Sequence, residues 1–353
     1  MHGTIYEFEA SPPIAVPVIS ARSRARALSS GTRAPLIGII RNPRSHRNKG
    51  HSPEFAERPE VLTRTPRTRA ALRAELADFA ARGIEYLAVD GGDGTVRDVL
   101  TCGEDIFAGH WPKLIVLPKG KTNALAVALG LPNHWSLAEA MDAVAQGKIT
   151  ERRPLVVELP AAAGAAKDAP ALRVQGFILG AGIFTLCTQA AQQAHRYGAF
   201  NSFAVLLTIV WGLLKSFFGT RGNPWRKGTA MLLGAGPGRL PLPDSGRGGA
   251  GRRYLLFAST LDRFPLGIKP FGSARGGLNI ALVDAPLRRI LALVPLLATG
   301  AHWAGLAGLG AHRIALDEDV ALDLGDRFIL DGEYFPAGRY VLRQGAPLRF
   351  VVP

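Results

Sequence analysis

One run of sequence limits the fold of this chain more than any other: Asp90-Gly91-Gly92-Asp93-Gly94-Thr95. It follows a short apolar stretch at residues 86–89, which is typical of a buried strand, and it precedes a helix-forming stretch at residues 96–100. Glycines at such a junction let backbone N–H groups approach a phosphate, and the start of a helix attracts negative charge. The run therefore predicts a phosphate-binding loop in a sheet with helices packed on it.

The same order of strand, turn and helix recurs around this loop. Residues 36–40 and 114–117 read as strands, and residues 68–82 and 123–129 read as helices. Repeated units of this kind predict a parallel sheet with flanking helices. After about residue 152 the pattern becomes mostly β. The strand-like segments there are 155–159, 171–179, 230–233, 254–260, 278–283, 314–324, 327–330 and 348–352.

Length and composition set the broad class. A chain of 353 residues exceeds what one compact core usually holds, so about two domains are expected. We place a flexible tail at 1–34, the α/β domain at 35–152 and the mainly β domain at 153–353. The two cysteines form no pair motif and the histidines show no metal-ligand spacing, which argues against a disulfide framework and favours a reducing, cytoplasmic compartment.

The net charge of +14 is compatible with nucleic acid, anionic lipid headgroups or a phosphorylated substrate, or simply with an arginine-rich proteome. Nucleic acid is not expected, because the sequence has no aromatic-basic RNA motif and no zinc finger. The arginine-rich tail lacks the apolar core of a secretory signal.

Two stretches without formal charge raise the question of a membrane. They cover residues 198–214 and 290–312, and the second is long enough to span a bilayer. Its proline and several glycines favour a buried or lipid-docking helix pair over a transmembrane span.

From the residues alone, the glycine loop has two interpretations that can both hold. Asp93 could bind a Mg²⁺ ion that is bound to phosphates. Alternatively, the loop is a tight turn in which Thr95 caps the helix and Asp98 completes a capping box. The run is neither a Walker A loop nor the dinucleotide fingerprint.

Three motifs occur in order, each after a predicted strand. They are Asn42-Pro43-Arg44-Ser45, Gly91-Gly92-Asp93-Gly94-Thr95 and Leu117-Pro118-Lys119-Gly120-Lys121-Thr122-Asn123. With Asp331-Gly332-Glu333 near the C-terminus, they make the chain resemble the diacylglycerol kinase catalytic family. That family includes bacterial lipid kinases, sphingosine kinases and ceramide kinases, and it is related in fold to NAD kinases.

The resemblance implies an α/β nucleotide-binding domain, a C-terminal β-sandwich domain and an active-site cleft between them, with ATP and Mg²⁺ as cofactors. Glu333 matches the family's catalytic glutamate, which would accept or orient the proton of the substrate hydroxyl, and Asp93 would act with it as the Mg²⁺ ligand. The residues that the resemblance places around the nucleotide are Asn42, Ser45, Thr65, Gly91, Gly92, Gly94, Thr95, Lys121 and Asn123.

The chain also departs from the family pattern. His46 stands where glycine is usual, Lys121 replaces a threonine, and Ala124 replaces an aspartate. Lys121 is either a point charge for a phosphate or a solvated loop lysine. An accessory metal site that some members have is not expected, because Gly276 and Asn279 replace its carboxylates.

These observations favour an ATP-dependent lipid kinase that acts on a diacylglycerol-like or sphingoid hydroxyl, with peripheral contact to the inner face of the membrane. The apolar segments 203–214 and 290–309 could flank a lipid groove. Two alternatives stay open: a soluble phosphotransferase of the NAD kinase type, and a non-catalytic relative that binds nucleotide or lipid.

Overall fold

The structure is a computed structural model. It describes residues 34–49, 58–159, 173–196, 211–212, 214–220, 222–274 and 276–353. Nearly all of the predicted N-terminal tail and most of the apolar stretch 198–214 lie outside these residues. The chain divides into two compact units, residues 1–152 with 346–353 and residues 153–345.

The first unit is built on one sheet. Its strands are β1 Ile37–Arg41, β2 Val61–Arg64, β3 Tyr86–Gly91, β4 Lys113–Pro118, β5 Ile149–Arg152 and β19 Leu348–Val351. Its helices are α1 Arg69–Arg82, α2 Asp93–Phe107, α3 Ala124–Ala128 and α4 Leu137–Ala145. The strand order is β2-β1-β3-β4-β19-β5, and β19 pairs parallel with β4 but antiparallel with β5.

Helix α1 illustrates why the sequence folds this way. Leu72, Leu76 and Phe79 recur at helical spacing and are fully buried. Thr68 caps the start by accepting a hydrogen bond from the N–H of Ala71 at 3.1 Å, and Gly83 ends the helix in the left-handed conformation. The predicted helix over residues 68–82 is therefore confirmed.

The second unit is mainly β. Its strands are β6 Leu155–Glu158, β7 Arg173–Gly176, β8 Ile178–Gly182, β9 Thr229–Ala235, β10 Leu240–Pro241, β11 Arg252–Arg253, β12 Leu255–Ser259, β13 Leu278–Val283, β14 Ala311–Leu316, β15 Val320–Leu324, β16 Phe328–Leu330, β17 Glu333–Phe335 and β18 Gly338–Gln344. They form two antiparallel sheets, ordered β10-β9-β15-β18-β6-β7 with β11 on β9, and β14-β13-β12-β8-β16-β17. Helices α5 Ile183–Arg196 and α6 Arg288–Ala298 accompany them, and residues 211–212 and 214–218 are also helical.

The predicted fold class, an α/β unit with a parallel sheet followed by a mainly β unit, is confirmed, but several boundaries differ. The strand expected at 348–352 belongs to the sheet of the first unit, not to the second domain at 153–353. The strand expected at 314–324 is two strands, β14 and β15, in different sheets, because the acidic turn at residues 317–319 separates them. The strand expected at 171–179 likewise divides into β7 and β8.

The uncharged stretch 290–312 is not one long helix. Helix α6 ends at Ala298, and β14 begins at Ala311. Among the described residues, no helix is both long and apolar enough to cross a membrane.

Candidate functional site

Three loops meet at one edge of the sheet in the first unit. They follow β1, β3 and β4, which are neighbours and run parallel, so their carboxyl ends lie side by side. In open α/β sheets, ligands bind at this edge. The loops carry most of the residues selected from the sequence.

The first loop is joined to the start of helix α2 through Asn42. Its side-chain nitrogen donates a hydrogen bond to Oγ1 of Thr95 at 3.0 Å, and its Oδ1 accepts one from the N–H of Arg44 at 2.9 Å. Ser45 continues the turn, with its N–H bonded to the carbonyl of Asn42 at 3.1 Å. Asn42 is 1% exposed, so it holds the loop in shape from inside.

A buried polar network that sequence reasoning did not select supports this loop. Arg41 Nη1 lies 2.7 Å from Asp90 Oδ2. Asn48 Nδ2 lies 3.0 Å from Asp90 Oδ1, and also 3.0 Å from the carbonyls of Asn42 and Asp90. Arg41 and Asp90 stand at the last positions of paired strands, directly before the two motifs, and that position was the signal that could have identified them.

The second and third loops touch backbone to backbone. A Cβ atom at Gly92 would lie 2.9 Å from Cα of Gly120, and one at Gly120 would lie 2.7 Å from Cα of Gly92. The N–H of Lys119 also donates to the carbonyl of Gly91 at 3.0 Å. Both glycines are therefore required by the approach of one loop to the other.

Helix α2 starts at Asp93, and its N-cap is Gly92, which has extended backbone angles and supplies no side-chain cap. The predicted cap by Thr95 with a box from Asp98 is wrong. Thr95 lies inside the first turn, and Asp98 pairs instead with Arg97 at 2.8 Å. The positive end of a helix of 15 residues thus opens on the glycine loop without a carboxylate or hydroxyl at its N-cap.

Asp93 connects the second loop to the third. Its Oδ2 accepts from the N–H of Ala124 at 3.0 Å, and its Oδ1 accepts from the N–H of Leu125 at 3.1 Å. Burial raises the pKa of Asp93 above its usual value. The backbone N–H groups that donate to the carboxylate lower the pKa, but by less than burial raises it. Asp93 therefore fixes the position of helix α3 as well as carrying charge.

The residues present fit a Mg²⁺ ion only if the phosphates supply much of its coordination. Across the described residues, His, Cys, Asp and Glu side chains form no cluster of three or more. Mg²⁺ is commonly held by one or two carboxylates together with phosphates and water, so a single aspartate is compatible with such a site.

The third loop closes on itself through Asn123. Its Oδ1 accepts from the N–H of Gly120 at 2.8 Å and its Nδ2 donates to the carbonyl of Gly120 at 3.1 Å, while its backbone is left-handed. Lys121 stands exposed at the tip of this turn. Burial, and then the positive charge of Lys49 from the first loop, lower the pKa of Lys121. Two ammonium groups from different loops thus lie near each other.

Thr65 and Glu333 belong to other elements than these three loops. Thr65 is exposed directly after β2, at the same edge of the sheet. Glu333 belongs to the second unit, where it opens β17 after a turn at Asp331 and Gly332 with positive φ values of 45° and 83°. The Asp331 carboxylate fixes this turn by accepting from the N–H groups of Phe177 at 3.0 Å and Ile178 at 2.9 Å.

Comparison with known proteins gives one family and one fold. Residues 38–155 match the model of the diacylglycerol kinase catalytic domain, which confirms the resemblance drawn from the motifs. A crystal structure of a diacylglycerol kinase from Bacillus anthracis strain Sterne superposes with a TM-score of 0.59 at 14% identity, covering 92% of this chain and 99% of that one. Two further structures from that organism give the same values. The comparison with curated protein sequences gives no match.

Proposed function

We propose that this protein transfers the γ-phosphate of ATP to a hydroxyl of a diacylglycerol-like or sphingoid lipid. The proposal builds on the match of residues 38–155 to the diacylglycerol kinase catalytic domain. One observation carries the proposal. The three loops are locked together by Asn42–Thr95 and by Asp93–Ala124, around the uncapped start of helix α2. A triphosphate needs backbone donors and positive charge in this arrangement.

The nucleotide is assigned to the first unit. The backbone at Gly92 and Gly94 and the positive end of α2 would hold phosphate oxygens. Lys121 and Lys49 supply the charge, and their mutual repulsion is relieved when an anion lies between them. Asn42 and Ser45 shape the wall of the site, and Thr65 stands at its rim.

Asp93 would hold Mg²⁺ against the phosphates, and the ion supplies charge stabilisation during phosphoryl transfer. This role of Asp93 is supported by the hydrogen bonds from the N–H groups of Ala124 and Leu125, which fix its carboxylate. They hold the carboxylate in one orientation beside the start of helix α3.

Glu333 is assigned the acceptor hydroxyl. The lipid oxygen forms a bond to the γ-phosphorus, the bond from that phosphorus to the β–γ bridging oxygen breaks, and ADP leaves. The hydroxyl proton passes to the Glu333 carboxylate. The support is the rigid turn before Glu333, which Asp331 holds through two backbone N–H groups.

A non-catalytic relative is the second candidate, favoured by one region of the second unit. Where some family members have carboxylates, Asn279 donates to the carbonyl of Gly276 at 3.2 Å, and the N–H of Gly277 donates to Asp317 at 3.1 Å. Gly276 and Asn279 thus supply no carboxylate in this segment.

The test is transfer of label from γ-labelled ATP with Mg²⁺ to a mixed lipid extract in micelles. We expect a labelled lipid with the unaltered protein, and its loss in Asp93→Asn and in Glu333→Ala. Asp142→Asn, a carboxylate change on helix α4 of the same unit, is the matched control and should keep activity. If no lipid is labelled while calorimetry still detects ATP binding, the non-catalytic candidate replaces the kinase.

A further inference from the structure

The second unit carries exposed apolar side chains at both ends of helix α6. At its start lie residues 211–212 and 214–218, which are helical, and Arg288 Nε donates to the carbonyl of Phe217 at 3.2 Å. At its end lies a loop in which the N–H of Lys269 donates to the carbonyl of Ala298 at 2.7 Å. We call the exposed apolar residues of these three segments the α6 surface. They are Trp211, Leu214, Phe218, Leu266, Ile268 and Leu296.

The degree of exposure is unusual for side chains of this size. Phe218 is 74% exposed, Leu214 51%, Trp211 46% and Leu296 48%. Single exposed apolar residues are common, but a group of large ones that follows one helix marks an interaction site.

The charge of the surrounding sequence indicates what kind of partner this is. No Asp or Glu occurs between residues 169 and 243, or between residues 285 and 316. Residues 211–218 and helix α6 fall in these acid-free ranges, whereas the loop with Leu266 and Ile268 lies between them. The basic residues of the two ranges are Arg173, Arg196, Lys215, Arg221, Arg226, Lys227, Arg239, Arg288, Arg289 and Arg313.

Several of these cations are exposed beside the apolar side chains. Lys215 lies 5.4 Å above the ring of Trp211, and Arg288 and Arg289 open the outward face of α6. Arg226 donates a hydrogen bond to the carbonyl of Pro286 at 3.2 Å, just before the start of helix α6. Apolar side chains flanked by cations, on segments whose sequence contains no acid, are the composition of a helix that lies in the interface of an anionic membrane.

We propose that the α6 surface docks on anionic lipid bilayers. Phe218, Leu214 and Leu296 enter the boundary between headgroups and acyl chains, and Lys215, Lys227, Arg288 and Arg289 contact the headgroups. This inference extends the proposed function, because it states where the acceptor lipid would be met. The experiment that tests it measures vesicle binding and not phosphate transfer, so the inference can fail while the kinase assay succeeds.

The experiment measures co-sedimentation of the full chain with phosphatidylcholine vesicles, with and without a fraction of phosphatidylglycerol. We expect binding only to the anionic vesicles, weakened by salt. Phe218→Ser and Leu296→Ser should each weaken binding about tenfold, since each removes a large apolar side chain from the interface. Arg289→Gln should weaken it about fivefold, the effect expected of one cation near a charged surface.

Matched controls lie outside the α6 surface. Leu240→Ser removes a leucine that is 71% exposed on strand β10 of the same unit, and Arg349→Gln removes an exposed cation from β19 of the first unit. Both should bind vesicles like the unaltered protein. Using two apolar variants on different elements guards against misfolding of either one, which circular dichroism would reveal.

Two results would overturn the proposal. The first is equal binding to neutral and anionic vesicles, or equal loss in Leu240→Ser and Phe218→Ser. The second is a dimer, seen by light scattering without lipid, that Phe218→Ser converts to a monomer while vesicle binding is absent in both. In that case the surface contacts a second copy of the chain.

Discussion

Each of the two units buries a carboxylate against an arginine, but the two networks have different architecture. In the first unit, Asp90 pairs with Arg41 and Asn48 directly beneath the loops of the candidate site. In the second, Asp284 is fully buried and contacts Arg253 and His312, the latter at 2.8 Å. Its Oδ2 also accepts from the hydroxyl of Ser245 at 2.7 Å.

The difference lies in where the partners come from. Arg41 and Asp90 end neighbouring parallel strands, so the network lies at the edge where ligands bind. The partners of Asp284 come from a loop at residue 245 and from strands β11 and β14, which the network fastens together. A buried ion pair therefore supports a binding edge in one unit and the assembly of loops and strands in the other, and variants can separate these roles.

The largest expected effect tests whether catalysis and nucleotide binding reside in different units. Glu333→Gln should reduce turnover by about 10²–10⁴-fold, the usual contribution of a general base. ATP affinity, measured by calorimetry, should not change, because the nucleotide loops belong to the first unit. Asp323→Asn, which removes a half-buried carboxylate of β15 that pairs with Arg339 on the surface, is the control. A parallel loss of ATP affinity would show that the division is wrong.

The buried carboxylates give the next effect. Asp284→Asn and Asp90→Asn should each lower the free energy of unfolding by roughly 3–5 kcal/mol, because each removes the carboxylate closest to a buried arginine. Arg253 keeps a longer contact with Asp244 at 3.6 Å, so the cost of Asp284→Asn should lie at the lower end of this range. Urea unfolding at neutral pH measures this. Only Asp90→Asn should also weaken ATP binding, and equal ATP affinity in both variants would contradict the proposed difference.

Acid should distinguish wild type from Asp284→Asn. Burial by itself would raise the pKa of Asp284, but the bonds from Ser245 and His312 hold it below its usual value. The stabilisation by Asp284 is therefore present above the unfolded pKa of about 3.9 and is lost as pH falls through the lower folded pKa. The stability difference between the two proteins should shrink below that range; a constant difference would exclude this cause.

A smaller effect tests the contact between the second and third loops. Gly92→Ala places a methyl group 2.9 Å from the backbone of Gly120 and should cost roughly 1–3 kcal/mol of strain. Because the loops must separate, ATP affinity should fall about tenfold. Gly238→Ala in the second unit meets nothing within 4 Å and should have no effect on binding.

The smallest effect concerns Lys121. Lys121→Thr, which restores the family's usual residue, should weaken ATP binding roughly twofold to fivefold, because one exposed charge contributes little. The effect should fade at high salt and at alkaline pH, since the pKa of Lys121 is lowered and its charge is lost earlier than that of an ordinary lysine. Lys148→Thr, an exposed lysine after α4, should bind ATP normally.

The first unit could be predicted largely from the sequence because its signals are local. The strand before Asp90, the helix over residues 69–82 and the three loop motifs each lie within a short window, and parallel strands align their ends automatically. What could not be predicted was the use of each side chain. Asp93 and Asn123 have the residue types of ligands, yet Asp93 accepts a backbone bond that only the meeting of two loops creates, and Asn123 closes its own loop on Gly120.

The second unit was harder to predict from the sequence, because its structure depends on contacts between segments that are distant along the chain. The acidic residues 317–319 mark a break within 314–324, but the sequence on either side cannot reveal that β14 and β15 lie in different sheets. Strand β2 and helix α4 were missed, since four residues give almost no periodicity and α4 depends on a capping box at Ser136 and Glu139. The partners of Asp284 are distant in sequence and follow no motif.

The position of β19 affects how this protein can fold while it is being synthesised. Strands β4 and β5 are made early, but the strand that joins them, Leu348–Val351, is made only after all of residues 153–345. On the ribosome, the sheet of the first unit therefore keeps a gap with unpaired backbone groups until the second unit has emerged. The sheet of the first unit therefore cannot be completed independently, and its completion is coupled to synthesis of the whole second unit.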